Sequence, residues 1–285
     1  MDYRNCRLCP RQCGADRSSG KTGYCGCPDT AVVAKTMLHQ WEEPALAGSG
    51  GSGAIFFGGC TLGCSYCQNR AISCAPVGTE VDSQQLRAMI EELIEQGAEN
   101  IDLVTPTQFL PTLLPALTPK LPVPVVYNCG GYERTQTIDL LEGLVDIYLP
   151  DMKYADGALA KALSGAQDYF PVAAAAIKRM VQQTGPVKWQ GEKVVCGVII
   201  RHLILPGQVE NSLKVLDWIG DTFGPGQVLV SLMRQYTPMP GMKPPMDRKI
   251  TEEEYQSVLS WMYLNGLEGF TQEEASAAAT FIPDF

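Results

Sequence analysis

The sequence is poor in basic residues and has no long apolar run. Its 285 residues include 22 Lys and Arg against 31 Asp and Glu, a net charge of −9. Basic side chains supply most of the affinity for a phosphate backbone, so this composition argues against nucleic-acid binding. No run of eighteen apolar residues exists to form a transmembrane helix, and the first residues, MDYRNCRLCPRQC, lack the apolar stretch of a secretory signal. We therefore expect a cytoplasmic protein with no nucleic-acid or membrane partner.

Cysteine, by contrast, is abundant, with eleven residues. In a cytosolic chain of this size, cysteines indicate metal binding or catalysis rather than disulfides. Five lie within the first 27 residues, and three lie in GGCTLGCSYCQNR, residues 58–70. Cys74, Cys129 and Cys196 are scattered and read most simply as small buried residues. Cys129, at a predicted strand end, is also a candidate hydrogen donor.

Short apolar runs alternate with amphipathic segments after residue 53. Strands are predicted at 54–58, 100–105, 123–128, 145–151, 193–207 and 227–233, and helices at 82–97, 137–144, 168–185, 210–224 and 251–266. Strands that are apolar throughout belong to parallel sheets covered on both faces. The pattern predicts an α/β fold, best described as an open (β/α)6 partial barrel, with a doubly wound sheet as the alternative. In both, functional loops gather at the carboxyl ends of the strands.

The motif GGCTLGCSYCQNR directly follows the first of these strands. Its cysteines, Cys60, Cys64 and Cys67, have the spacing C-x3-C-x2-C. Structural zinc normally takes four ligands in two separated pairs, and the nearest fourth cysteine, Cys74, is seven residues further on. Three thiolates on a [4Fe–4S] cluster leave one iron free to bind a small molecule. The spacing therefore favours an iron–sulfur cluster over zinc.

The motif, placed after the first strand of a (β/α)6 sheet and with Tyr66 before its last cysteine, resembles that of the radical S-adenosylmethionine (SAM) superfamily. The string CSYCQN is similar to the activating enzymes of pyruvate formate-lyase and other glycyl radical enzymes. Further strings, including WEEPALAGSGGSG, LVTPTQ, YNCGGYE, YLPDMKY and RHLILPG, resemble an uncharacterised branch related to those activases. The resemblance covers nearly the whole chain. It implies an oxidoreductase that cleaves SAM reductively at a [4Fe–4S] cluster on the three cysteines and abstracts hydrogen through a 5′-deoxyadenosyl radical.

The resemblance leaves the substrate open. An activase would take hydrogen from a glycine of a partner glycyl radical enzyme, whereas other radical SAM enzymes modify a peptide or a small metabolite. A flavodoxin- or ferredoxin-type protein would donate the electron. A non-catalytic iron–sulfur or zinc protein, serving electron transfer or as an adaptor, is a third hypothesis.

The resemblance also implies a SAM pocket at the strand ends. Its predicted residues are Tyr66, Thr105, Thr107, Asn128, Asp151, Lys153 and Arg201. The sequence LVTPTQ stands where the family usually has a Gly-Gly-Glu loop, and it offers hydroxyl groups but no carboxylate. Lys153 and Arg201 would supply positive charge for the SAM carboxylate. The alternatives are a turn role for Asn128, a surface pair of Asp151 with Lys153, and a structural ion pair for Arg201 with a core carboxylate.

The N-terminal cysteines predict a second metal site. Cys6, Cys9, Cys13 and Cys25 would form a closed four-thiolate site, and Cys27 is the expected non-ligand, although Cys25 and Cys27 could exchange roles. Zinc and an auxiliary iron–sulfur cluster both fit. The segment is too short to build its own core, so we expect metal to supply its folding energy. The predicted organisation is this metal-binding segment and lead-in at 1–50, the partial barrel at 51–266, and a tail at 267–285.

Histidine is scarce, with two residues. His202 follows Arg201 on a predicted strand and so points to the opposite face, which indicates a core histidine. His39 lies in MLHQWEEP with Trp41, Glu42 and Glu43. This stretch could line the cluster or the substrate entrance, or pack as an ordinary strand or loop.

Overall fold

The computed structural model describes residues 3–272. Within that range the strands are β1 (Ala31–His39), β2 (Ser52–Phe57), β3 (Thr79–Val81), β4 (Ile101–Val104), β5 (Val125–Cys129), β6 (Ile147–Pro150), β7 (Lys188–Gln190), β8 (Lys193–Leu203), β9 (Leu229–Met233) and β10 (Gly269–Thr271). The α-helices are α1 (Pro44–Ala47), α2 (Arg70–Ser73), α3 (Ser83–Glu95), α4 (Leu110–Ala116), α5 (Thr135–Asp139), α6 (Gly157–Ser164), α7 (Tyr169–Thr184), α8 (Val209–Thr222) and α9 (Glu252–Leu264). No helix in this range is long and apolar enough to cross a bilayer.

The central strands form a parallel sheet in chain order. β2, β4, β5, β6, β8 and β9 lie side by side, each hydrogen-bonded to the next in the same direction. A doubly wound sheet would reverse its order partway, so the sequential order confirms the predicted partial barrel. All six predicted strands are present.

Local sequence explains the helices that were predicted. Asp82 caps α3 by accepting hydrogen bonds from the amides of Gln84 and Gln85, and the Gln85 side chain accepts one from the amide of Asp82. Leu86, Ile90 and Leu93 then recur at helical spacing and are buried against the sheet. Thr251 and Glu254 form the same box at the start of α9.

Several strands extend the sheet beyond the predicted six. β1 pairs antiparallel with β2, from Val33 opposite Phe57 to His39 opposite Ser52, and β3 pairs antiparallel with β1. β1 lies within the range 1–50, so the sheet begins upstream of the predicted start of the barrel at residue 51. β10 pairs parallel with β9 and lies within the predicted tail; residues 273–285 of that tail are outside the described residues.

Helix α1 fills the lower part of the lumen. Its Ala45 and Leu46 form one buried apolar cluster with inward-facing strand residues: Val126, Ile147, Leu149, Val194, Ile199 and Leu229. Two residues further along their strands, Asn128, Arg201 and Ser231 face the space above this cluster. Two residues advance a strand by about 7 Å, so the lumen is layered, with an apolar base and a polar layer over it.

The N-terminal segment packs against the outside of this barrel. Leu8 and Cys6 belong to the main hydrophobic core, and Arg17 is 2% exposed. The Arg17 guanidinium donates a hydrogen bond to the Gln108 carbonyl at 2.6 Å. The segment therefore shares the core of the barrel, which corrects the expectation that metal is its only source of folding energy.

Candidate active site

A cavity of about 580 Å³ opens at the carboxyl ends of the parallel strands. The cysteine loop lines one side of it, and the connection from β1 to α1 lines another. Between them lie side chains from the ends of β4, β5, β6, β8, β9 and β10. This is the location that the parallel topology predicts for a functional site.

Backbone packing fixes the cysteine loop at the mouth of the sheet. Gly59 has a φ of +74°, and a Cβ atom there would lie 2.4 Å from the Cys27 sulfur, so no larger residue fits. Leu62 packs against Gly130, beyond the end of β5. Arg11, from the N-terminal segment, donates hydrogen bonds to backbone carbonyls on both sides of the site: Thr61 (3.2 Å), Leu62 (3.0 Å), Ser164 (2.7 Å) and Gly165 (2.6 Å).

All three motif sulfurs line the cavity, and each accepts a hydrogen bond from the chain. The donors are the Leu62 amide to Cys60 (3.4 Å), the Ser164 hydroxyl to Cys64 (3.2 Å) and the Ser73 hydroxyl to Cys67 (3.4 Å). Hydrogen bonds to cluster sulfurs are one means by which proteins set the reduction potential.

The donor set fits a cluster better than a single ion. Among residues 3–272, no three Cys, His, Asp or Glu side chains converge closely enough to hold one metal ion. Burial, followed by the charge of Cys64, raises the pKa of the Cys60 thiol to about 12, and burial also raises that of Cys67. Cysteines in such surroundings become thiolates only beside a strong positive charge. A four-iron cluster held by Cys60, Cys64 and Cys67 would supply that charge.

Next to the cysteines, Asp151, Lys153, Arg201 and Asn128 form one side of the cavity, which we call the charged wall. Lys153 contacts Asp151 at 2.5 Å, and the Arg201 guanidinium donates hydrogen bonds to Asp151 at 3.0 Å and to the Asn128 amide oxygen at 2.5 Å. Although burial acts to raise the pKa of Asp151, Arg201 and then Lys153 hold it below its ordinary value. Asp151 is thus ionised and shared by both cations.

The structure brings most of the predicted SAM-pocket residues to this cavity. Tyr66, Thr105, Asn128, Asp151, Lys153 and Arg201 line it. Thr107 does not: its hydroxyl lies in a buried network with the Tyr127 hydroxyl (2.9 Å) and the Glu133 carboxylate (2.7 Å). The reason is the 3₁₀ turn at Thr107–Phe109, which redirects the chain after β4. The roles of these residues in binding SAM stay predictions.

Other sequence predictions have clear positions in the structure. His202 is fully buried, with its ring nitrogens hydrogen-bonded to the Met152 carbonyl (2.6 Å) and the Ser212 hydroxyl (2.8 Å), as expected for a core histidine. Burial lowers its pKa to about 4. Cys129 touches the cavity but belongs to the main core, and burial raises the pKa of its thiol well above the ordinary range. Its role as a hydrogen donor stays a prediction.

The N-terminal cysteines do not share one environment. Cys6 and Cys9 are buried, Cys25 is half-buried and Cys13 is exposed. Cys27 is fully buried, and its thiol donates hydrogen bonds to the carbonyls of Cys25 (3.3 Å) and Gly58 (3.6 Å). A metal site on Cys6, Cys9, Cys13 and Cys25 therefore stays a prediction.

Of three acidic residues near the cavity, the sequence left Glu42 and Glu43 open between the site and an ordinary strand or loop, and did not single out Asp102. Glu42 and Glu43, from the connection between β1 and α1, line the cavity, and Asp102 lies fully buried on β4 beside them. Two features of the sequence could have indicated these acidic residues: the pair of glutamates in WEEP and the single aspartate inside the apolar run IDLV. Adjacent glutamates usually form a solvated surface, however, and only the fold reveals that α1 carries this pair into the lumen.

Comparison with known proteins bears on the fold and on the cysteine loop. A family model described as a 4Fe-4S single cluster domain matches residues 46–108, which contain the three motif cysteines. An uncharacterized protein of Methanocaldococcus jannaschii, MJ0674, is 28% identical over 269 residues, covering 90% of this chain and 74% of the relative.

Two solved structures share the architecture. SuiB of Streptococcus suis bound to S-adenosylmethionine matches with a TM-score of 0.53 and 12% identity over 75% of this chain, and the match covers 48% of SuiB. The chain therefore spans about half the length of SuiB. A radical SAM methyltransferase from Sphaerobacter thermophilus matches with a TM-score of 0.55 and 15% identity, covering 77% of this chain and 65% of that protein. The chain has the fold of the radical SAM enzymes it was compared with, and its segment at the carboxyl end of the first parallel strand is similar to the 4Fe-4S single cluster domain.

Proposed function

We propose that the protein is a radical SAM enzyme that holds a [4Fe–4S] cluster on Cys60, Cys64 and Cys67. The observation that carries this proposal is the placement of three hydrogen-bonded sulfurs at one end of a cavity with a charged wall. The fold and the match of the cysteine segment to a 4Fe-4S domain support it. The proposed activity is an oxidoreductase reaction that begins with reductive cleavage of SAM.

Held by Cys60, Cys64 and Cys67, the cluster would supply the electron for reductive cleavage of SAM to methionine and a 5′-deoxyadenosyl radical, which would take a hydrogen atom from a substrate carbon. The chain's own residues bind, orient and exclude water. Lys153, whose charge acts on Cys67, offers its ammonium group to the SAM carboxylate, and Asp151 orients that group from 2.5 Å. Tyr66, 4% exposed, helps to keep water from the cysteine end. A flavodoxin- or ferredoxin-type protein supplies the electron.

The proposed substrate is a glycine in a partner glycyl radical enzyme, on the resemblance of CSYCQN to the activases. A peptide or a small metabolite is the second candidate. The acidic residues in the lumen favour it, because they provide recognition inside the cavity rather than on a docking face. Incubation of the reduced enzyme and SAM with a candidate glycyl radical enzyme distinguishes the two: an activase produces a glycyl radical signal in the electron paramagnetic resonance spectrum.

The test of SAM cleavage is anaerobic reconstitution with iron and sulfide, followed by reduction with SAM and assay of 5′-deoxyadenosine. We expect product from the wild type and none from Cys60→Ala, Cys64→Ala or Cys67→Ala. Cys74→Ala is the matched control, because Cys74 is exposed and lies near the motif without being part of it. A wild-type protein with a full cluster that forms no 5′-deoxyadenosine would refute the proposal.

A further inference from the structure

The polar layer of the lumen contains more acid than base. Glu42 and Glu43 line the cavity, and Asp102, fully buried on β4 behind the cavity lining, lies beside Glu42. Among residues 3–272, the cation that approaches them is Arg201, whose guanidinium lies 3.8 Å from Glu42. That guanidinium already donates to Asp151 and Asn128, and Lys153 is also held by Asp151. The described residues thus leave negative charge in the lumen without a matched partner.

Protonation of Asp102 and Glu43 reduces the negative charge in the lumen. Burial, followed by the charge of Glu42, raises the pKa of Asp102 well above its ordinary range and that of Glu43 to about 7. Asp102 accepts a long hydrogen bond from the Asn128 amide at 3.3 Å on one oxygen, and the carboxyl lies against Glu42, which helps to raise its pKa. An arrangement of this kind is costly unless something positive completes it.

Polar atoms with few hydrogen-bond partners border the same space. The Ser231 hydroxyl lines the cavity and is 1% exposed; it lies beside Glu43, whose pKa it acts to lower, and makes no other hydrogen bond. Nδ1 of His39, a residue 9% exposed on the opposite side, has no hydrogen-bond partner. Buried groups of this kind are normally satisfied, so they indicate a ligand that brings hydrogen-bonding groups of its own. No cluster of three acidic or histidine ligands in residues 3–272 suits a metal ion, which points to an organic cation.

Asp102 lies deeper in the barrel than the cysteine loop. It pairs with Ala54, three residues before the end of β2 at Phe57, whereas Cys60 lies three residues beyond that end. Asp102, with Glu42 beside it, thus extends the acidic cluster below the level of the cysteine loop.

We propose that Glu43, with Glu42 and Asp102, forms a subsite that binds a cationic group of the substrate, a primary ammonium or a guanidinium. This inference rests on the proposed function for the identity of the occupant as a substrate. Glu43 is the principal contact, because Glu42 is engaged by Arg201 and Asp102 is covered by Asn128. The substrate class is then an amine, or a peptide that presents a lysine or arginine side chain.

The test uses the reconstituted enzyme with saturating SAM and no reductant, so that SAM is present but not consumed. The probes are Nα-acetyl-lysine N-methylamide and its neutral counterpart, Nα-acetyl-norleucine N-methylamide, and anaerobic titration calorimetry measures their binding. We expect the lysine compound to bind at least about tenfold more tightly than the norleucine compound, as one charge-assisted hydrogen bond allows. Glu43→Gln should remove that preference, whereas Glu95→Gln, on the exposed end of α3, should keep it.

Three results would overturn the inference. Equal binding of the two probes, or no binding of either, would show that the lumen does not select a cation; this comparison needs only the wild type. Displacement of SAM by the lysine compound, with weaker SAM binding in Glu43→Gln, would assign the acidic residues to the amino group of SAM. Failure of the proposed function would look different, because the wild type would then form no 5′-deoxyadenosine whatever the probes do.

Discussion

Asp151 and Arg201 are unequal partners in the charged wall. Asp151 has two cations, whereas Arg201 neutralises Asp151, approaches Glu42 and fixes the Asn128 amide. Both side chains of the central pair are mostly buried, at 14% and 16% exposure. Loss of Arg201 would therefore leave the buried carboxylate of Glu42 without a cation. Loss of Lys153 would still leave Asp151 paired with Arg201.

We predict that Arg201→Met lowers the free energy of unfolding by about 3–5 kcal/mol, the usual cost of an uncompensated buried charge. Lys153→Met should cost much less stability but should weaken SAM binding, since Lys153 lies near the thiols. Urea unfolding of both variants, with SAM titration of the reconstituted proteins, separates the two effects. Equal losses of unfolding free energy in Arg201→Met and Lys153→Met would show that the two cations are equivalent partners of the buried acids.

The titration of Glu43 should be visible in stability. Its pKa is about 7 in the folded protein, raised by burial and by Glu42, while Arg201 opposes the shift. A folded pKa above the unfolded value means that the folded state holds the proton more tightly, so the contribution is complete below about pH 4.5 and is lost as pH rises to about 7. We predict that Glu43→Gln removes about 2–3 kcal/mol of this pH-dependent change. The measurement is the difference in unfolding free energy between pH 5 and pH 7.5; identical differences in variant and wild type would exclude the titration of Glu43.

At the scale of elements, the connection from the N-terminal segment to the cysteine loop depends on Arg11. Its guanidinium donates to four carbonyls that belong to the cysteine loop and to the turn after α6. It also stacks on Tyr24, with its central carbon 4.0 Å from the ring centroid. One side chain therefore holds three separate pieces of chain around the site.

We predict that Arg11→Ala loosens both the N-terminal segment and the cysteine loop, because four carbonyls lose a shared donor. Hydrogen exchange should become faster in residues 3–30 and 58–66, and bound iron should be lost more quickly in air. Arg179→Ala is the matched control, since Arg179 forms surface ion pairs with Asp139 and Glu142. Unchanged exchange in both segments would show that Arg11 is not needed to hold them.

Features that depend on residues close together in the sequence could be predicted, and features that depend on residues far apart could not. The parallel strands, the capped helices and the position of the cysteine loop depend on local periodicity, end signals and a spacing, all of which lie within short windows. The positions of α1 and Arg11 were missed because their partners are far along the chain: α1 packs on β5, β6, β8 and β9, and Arg11 donates to the carbonyls of Ser164 and Gly165. Thr107 was assigned to the pocket because a strand-end hydroxyl is a local feature, whereas its turn toward Glu133 depends on tertiary contacts.

At the scale of the whole molecule, the cysteine-rich segment and the barrel are parts of one folded body. Cys6 and Leu8 are in the main core, and Thr137 of α5 donates a hydrogen bond to the Leu8 carbonyl at 2.6 Å. A second metal would therefore add to an existing structure rather than create it.

We predict that Cys6→Ala/Cys9→Ala stays folded and keeps the spectrum of the SAM cluster, because a closed four-thiolate site assembles independently of a three-thiolate one. The variant should contain less metal than the wild type: one zinc fewer, or about four irons fewer if the site holds a [4Fe–4S] cluster. Metal analysis beside the wild type measures this. Unchanged zinc and iron would mean that these cysteines bind no metal.

The position of α1 connects ligand binding to the stability of the barrel. The segment that fills the lower lumen with Leu46 also carries Glu43, so a cation that binds Glu43 holds α1 in place. Such a ligand at a hundred times its dissociation constant would raise the free energy of unfolding by about 2.7 kcal/mol. The linkage is reciprocal. Leu46→Ala, which removes only apolar packing beneath the site, should therefore lower the affinity for a cation that Leu46 never touches.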